Sequence, residues 1–326
     1  MPTAGDGEIL VEVAAAGLCG TDVSLVFGGH GDSLRRDAVT LGHEIAGRVA
    51  AIGAVADGWS VGDAVVVSPI VTCGQCLACV HGASQICERK RVIGIDLDGG
   101  LAECVVVPAA NLVRLPDGIP PEVGAILTDA VATPFHALVD RAALRPGESI
   151  AVFGVGGLGQ HAIQLARLTG AGRIVAIDVR SEPLALALEL GADLVIDAGR
   201  TDVGETIRRE TGGRGVNVAA DFTGAAVAIE AAIEALASGG RLVVCGIGPE
   251  QAALPPTHVF VRKEISVIAS YGFRRDTIEL LVQLVAAGRL SLQSSISHVV
   301  GLQDVDDALR MLRDKRDAPR RVVVRP

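Results

Sequence analysis

Aromatic side chains are scarce in this chain, with one Trp, one Tyr and six Phe among 326 residues. Its core must therefore be built from Ala, Val, Leu and Ile, which carry much of the 49 % apolar share. So few aromatics argue against the stacking platforms that bind single-stranded nucleic acid. A basic surplus is missing too. The formal net charge is -9, which argues against a binder of phosphate backbones, so no nucleic-acid partner is expected. No apolar run reaches the ~18 residues that a membrane helix needs, so no membrane partner is expected either. The opening "MPTAGDGEILVEV" has no basic region followed by an apolar stretch, as a secretory signal would. The expected location is cytoplasmic. What remains is a folded protein long enough for two domains.

Cysteine is also sparse, at seven residues, yet four of them fall within "CGQCLACVHGASQIC". In a reducing compartment, clustered thiols are metal ligands more often than disulfides. Cys73, Cys76, Cys79 and Cys87 follow C-x2-C-x2-C-x7-C, and four thiolates close a tetrahedron around zinc. Such a centre has no open position for a substrate, so it is expected to be structural. An iron–sulfur cluster or reactive thiols are the alternatives, although iron–sulfur proteins use other spacings.

"SIAVFGVGGLGQHAIQLARLTGAGRIVAIDV" reads as strand, glycine turn, amphipathic helix and strand. Gly154, Gly156 and Gly159 form G-x-G-x-x-G, with Gly157 and Leu158 inside the loop and Asp178 at the end of the second strand. The first glycine permits the tight turn, the second lets backbone approach a pyrophosphate, and the third lets helix and strand pack. The helix N-terminus offers free N–H groups to the anion. A carboxylate about 20 residues on accepts a ribose hydroxyl of NAD and repels the extra phosphate of NADP. Asp178 therefore predicts NAD over NADP, and Arg180 partly offsets that repulsion.

Two further stretches, "GLCGTDVS" around Cys19 and "TLGHEIAG" around His43, precede the cysteine cluster. A lone Cys is usually buried filler, and a lone His usually a surface or satisfied core residue. In order and approximate separation, "CGTD", "GHE", the cysteine cluster and "GVGGLG" resemble the zinc-dependent alcohol dehydrogenases of the medium-chain dehydrogenase/reductase superfamily. The resemblance covers nearly the whole chain. It implies a catalytic zinc held by Cys19 and His43, with Glu44 beside the metal as a supporting group or exchanging ligand. The third ligand it implies is Asp129 in "AILTDAVATPFHAL", with a helix cap as the bland alternative for that residue. Two zinc ions per chain follow, one catalytic and one structural. Thr21 matches the hydroxyl that takes the substrate proton. Ser24 stands where many members have a relay histidine, so it and water are the candidate carriers. Thr133 and Leu158 match positions near the nicotinamide, and Cys245 to Ile247 match the strand end that meets its carboxamide.

The fold class implied is α/β. A strand-rich, GroES-like catalytic domain takes 1–129 and 270–326, with a zinc lobe at about 73–87. A Rossmann doubly wound parallel sheet takes 130–269, where strands and helices begin to alternate. Members usually begin about 20 residues earlier, and an exposed sheet edge is expected where that strand pair is missing. The remaining histidines, His30, His81, His136, His161, His258 and His298, match no motif and are expected on the surface or in packing. The expected activity is NAD(P)-dependent alcohol dehydrogenation, a hydride passing between NAD(H) and a zinc-bound alcohol or ketone, and the "TD" resemblance implies a secondary or cyclic alcohol. Alternatives are a zinc-independent quinone or alkene reductase on the same fold, and an inactive nucleotide-binding protein with structural zinc alone. A homodimer or homotetramer joined through the cofactor domains is expected by analogy.

Overall fold

The computed structural model describes residues 1–28 and 38–326; His30 lies outside them. The first strands are β1 (Glu8–Leu18), β2 (Glu44–Ile52), β3 (Ala64–Val67), β4 (Ile70–Val71), β5 (Arg91–Val92), β6 (Cys104–Pro108) and β7 (Leu112–Arg114). Then come β8 (Ser149–Phe153), β9 (Arg173–Asp178), β10 (Leu194–Asp197), β11 (Val216–Asp221), β12 (Leu236–Val244) and β13 (Ser266–Ala269). The last two are β14 (Ile296–Gly301) and β15 (Arg321–Arg325). Two compact units result, one from Met1–Ala132 with Gly272–Pro326, the other from Thr133–Tyr271. Among the described residues no helix is long and apolar enough to cross a membrane.

The first unit is a mostly antiparallel sheet in the order β14-β15-β1-β2-β3-β7, with β6 also paired to β1. β1 is long enough to run along β2 on one side and to divide its other edge. Glu8 to Glu12 pair with β6, and Ala16 to Leu18 with β15. Ile9, Val11, Val13, Ile45, Val65, Val67, Val105 and Val107 fill one core. These β-branched residues suit a pleated surface packed on itself. A satellite cluster joins Leu18 to Leu309, Leu312, Val322 and Val324, so the C-terminal strand is fastened directly beneath the residue preceding Cys19.

The second unit is a parallel six-stranded sheet ordered β10-β9-β8-β11-β12-β13. Strand order reverses between β8 and β11. In such sheets ligands settle at the carboxyl ends of the strands where the order reverses. The glycine loop leaves β8 at that end, and Asp178 closes β9 beside it.

Candidate active site

Cys19 follows β1 and caps the helix Gly20–Phe27. Asp22, three residues on, accepts the Cys19 N–H through Oδ2 at 2.8 Å, which fixes the cap. Gly17 pairs with Glu44 across β1 and β2, bringing Cys19 beside His43. A Cβ on Gly17 would lie 2.0 Å from Glu44 Oε2, so glycine there leaves room for the Glu44 carboxylate. Asp129 arrives from a wide turn, Leu127–Val131, in a π-helical stretch. Such bulges re-aim side chains and recur at functional sites.

These elements bring donor atoms of Cys19, His43, Glu44 and Asp129 within 4.8 Å of one another. Asp129 Oδ2 is 3.5 Å from Cys19 Sγ and 3.5 Å from His43 Nε2. A tetrahedron with Zn–N, Zn–O and Zn–S bonds of ordinary length has edges of about 3.3–3.8 Å. The spacing therefore fits three ligands of one zinc ion. A thiolate and a carboxylate with a neutral imidazole would also neutralise a dication. Burial, then the Asp129 charge, pushes the Cys19 thiol up. Burial would lower the His43 imidazole, but the facing Asp22 and Asp129 carboxylates hold it well above its ordinary value. Both directions describe a set short of positive charge.

His43 Nδ1 faces Asp22 Oδ1 at 3.6 Å, and among the described residues neither atom has a hydrogen-bond partner. That geometry leaves Nε2 for the metal and assigns Asp22 to orient the ring. Glu44 is held by Arg321 Nη2, which donates to both of its oxygens, with both side chains buried. Burial pushes the Glu44 carboxyl up to about 7 against the pull of Arg321. Thr21 Oγ1 lies 3.8 Å from Cys19 Sγ, and Ser24 sits three residues on in the same helix, one turn along the same face.

The four-cysteine lobe is equally regular. Sulfur–sulfur distances are 3.5 Å for Cys76–Cys79, 3.7 Å for Cys76–Cys87, 3.5 Å for Cys87–Cys73 and 4.0 Å for Cys73–Cys79. All seven cysteines are free thiols. A tetrahedron of Zn–S bonds has edges of about 3.8 Å, so the cage fits a zinc ion. Backbone N–H groups of Cys73 and Arg89 point at Cys87 Sγ, and that of Cys76 at Cys73 Sγ. Cys73 is lowered to about 6, chiefly by the Gln75 N–H, while burial raises Cys79 to about 11.

In the second unit, Gly154 has φ +83° and a Cβ on Gly159 would lie 1.9 Å from Gly154 O. Both glycines are thus demanded by the turn and its packing. A Cβ on Gly156 would meet nothing within 4 Å, so the protein itself leaves that place open, as a cradle for pyrophosphate requires. Leu158 caps the helix Gly159–Thr169. Asp178 Oδ1 accepts the N–H groups of Val179 and Arg180, with Arg180 Nε at 3.4 Å, while Oδ2 accepts Val155 N–H at 2.9 Å and no other N–H among the described residues. Oδ2 retains a lone pair for a ribose hydroxyl. Thr133 is buried. Cys245 and Gly246 donate their N–H groups to Asp221 O, and Ile247 is 80 % exposed at the same strand end.

Residues 5–117 match the model of the alcohol dehydrogenase GroES-like domain, and residues 157–287 that of the zinc-binding dehydrogenase. L-threonine 3-dehydrogenase of Pyrococcus horikoshii is 31 % identical over 96 % of this chain and 90 % of its own length. The chain belongs to the zinc-dependent alcohol dehydrogenase family. Sorbitol dehydrogenase of Bacillus subtilis is 29 % identical over 100 % of the chain and 92 % of its own length. The crystal structure of the alcohol dehydrogenase of Aeropyrum pernix superposes with TM-score 0.90 at 34 % identity, covering 100 % of this chain and 94 % of that one. As a family member, the protein is an oxidoreductase acting on CH–OH groups, with a GroES-like domain and a Rossmann-like domain.

Several residues of this dehydrogenase were not assigned from sequence. Asp22 stood inside the quoted "CGTD", and its spacing of three from Cys19 is a capping signal. Arg321 is 277 positions from Glu44, and nothing local announces it. His161 is fully buried, with Nδ1 2.9 Å from Gly157 O, bracing the glycine loop. Asp221 is buried and accepts from Thr223 N, Thr223 Oγ1 and Gly224 N.

Proposed function

We propose that the protein is a zinc-dependent, NAD-linked dehydrogenase of a small secondary alcohol or polyol. The observation that carries the reading is the convergence of Cys19 Sγ, His43 Nε2 and Asp129 Oδ2 on one tetrahedral spacing. When bound there, zinc supplies a Lewis acid for the substrate oxygen, and NAD supplies the hydride acceptor. Cys19, His43 and Asp129 hold the metal, Asp22 keeps the His43 ring turned, and Arg321 draws the Glu44 carboxylate aside. Thr21 Oγ1 takes the substrate hydroxyl proton and passes it towards Ser24 and water. The names of the relatives, L-threonine 3-dehydrogenase and sorbitol dehydrogenase, support a carbinol flanked by further polar groups. Screening secondary alcohols, polyols and hydroxy amino acids with NAD, by absorbance of NADH, tests this. Oxidation of at least one such class is expected, and no turnover of any of them by zinc-replete protein contradicts it.

Asp178 makes NAD the preferred carrier. Asp178→Ala should narrow the kcat/KM ratio of NAD to NADP by about tenfold, the worth of one hydrogen bond to a charged group. Steady-state kinetics with both cofactors would show an unchanged ratio if Asp178 does not read the ribose.

The proposed assembly is a dimer through the edge of the second unit's sheet. Among the described residues β13 pairs with β12 alone, and Val267 on β13, with Val261 and Leu254 nearby in sequence, stands 41 %, 68 % and 62 % exposed. An uncovered apolar edge is a template for pairing with a second strand. Light scattering should give at least a dimer for the natural chain and a smaller species for Val267→Lys. A natural chain that runs as a monomer contradicts the assignment.

A further inference from the structure

The peptide joining Gly42 to His43 is covered from behind by the loop that follows β5. Four hydrogen bonds lace them together: Gly99 N–H to Thr40 O at 2.8 Å, Gly100 N–H to Gly42 O at 2.8 Å, Leu101 N–H to Leu41 O at 3.0 Å, and Thr40 N–H to Asp98 Oδ1 at 2.9 Å. The approach is closer than side chains permit. A Cβ on Gly94 would lie 2.5 Å from Gly42 O and 2.8 Å from His43 N. One on Gly99 would lie 2.2 Å from Gly42 O and 2.5 Å from Gly94 Cα. Gly42 and Gly94 also have φ of +95° and +82°, in the region that favours glycine. Backbone thus stacks on backbone over three glycines, all of them buried.

We infer that the loop from Gly94 to Leu101 is a clasp that sets how firmly the catalytic metal is held, with Gly99 and Asp98 as positioning residues. It acts through His43. The ring is one methylene removed from the clamped backbone, and its Nε2 meets Asp129 Oδ2 at 3.5 Å. The clasp begins where the four-cysteine lobe ends. β5 runs from Arg91 and pairs with β4, which precedes Cys73, and Ile93 N–H bonds Pro69 O at 2.9 Å. A rigid base for the clasp is therefore part of what the lobe provides. Groups that orient a metal ligand are worth about tenfold or more in metal affinity when removed.

This inference rests on the proposed zinc site. The test is zinc release from the natural protein to a chelator, followed by metal analysis, together with the visible spectrum of cobalt-substituted protein. Gly99→Ala forces the clasp open, and Asp98→Ala is the milder variant that removes the bond to Thr40 N–H. Gly53→Ala is the control, since its Cβ would lie 1.8 Å from Gly5 O in the same unit, away from the clasp. Gly99→Ala and Asp98→Ala should release one zinc about tenfold faster than the natural chain and alter the cobalt bands. Gly53→Ala should lower Tm while leaving that rate unchanged. If Gly99→Ala does not fold, Asp98→Ala decides. Natural rates and bands in the clasp variants, or equal acceleration in Gly53→Ala, overturn the clasp alone. A natural chain holding a single zinc overturns the metal reading beneath it.

Discussion

Asp129→Ala should remove one of two zinc ions and lower kcat by about 10³-fold or more, while NAD still binds. The magnitude follows from the Lewis-acid contribution of a catalytic metal, several kcal/mol, at about 1.4 kcal/mol per factor of ten. Asp129 Oδ2 stands at 3.5 Å from both Cys19 Sγ and His43 Nε2, so its loss opens one corner of the cage. Among the described residues of the cluster, Cys19 and His43 then keep only Glu44 as a further donor, and its carboxylate is already held by Arg321. The glycine loop and Asp178 belong to the other unit, so cofactor binding measured by NADH fluorescence should survive. Normal turnover with two zinc ions in this variant would show that Asp129 caps its turn and holds no metal.

Cys76→Ser should act on stability rather than on chemistry. Three sulfurs would remain in a lobe whose helix Leu77–Val80 buries no residue, so the fourth thiolate has no apolar core to replace it. A structural zinc site contributes folding free energy directly. Loss of a few kcal/mol lowers Tm by about 10 °C in a protein of this size. Limited proteolysis should cut within Cys73–Cys87. The same Tm and the same zinc content as the natural chain would contradict a structural metal there.

The fold, and the residues of the candidate site that lie together, could be read from sequence for a physical reason. The cysteine cage and the glycine turn are local, so their spacing carries their geometry. Within one turn, Gly154 is fixed by its positive φ and Gly159 by its approach to Gly154 O, and a pattern of six residues encodes them. Cys19, His43 and Asp129 are not local, and each became legible only through the order of motifs along the chain. What escaped is long-range or made of backbone. Arg321 reaches Glu44 across a sheet whose strand order the sequence does not print. Gly94 and Gly99 look like ordinary turn glycines until the backbone of Gly42 is seen against them. His161 matched no motif, since its partner is a carbonyl, Gly157 O, and any residue supplies one.

Anomalous diffraction at the zinc edge from crystals of the natural, zinc-replete chain tests the central claim most directly. Two peaks are predicted: one enclosed by the sulfurs of Cys73, Cys76, Cys79 and Cys87, the other in contact with Cys19 Sγ, His43 Nε2 and Asp129 Oδ2. A lone peak in the cysteine lobe, with those three side chains holding nothing between them, would contradict the account.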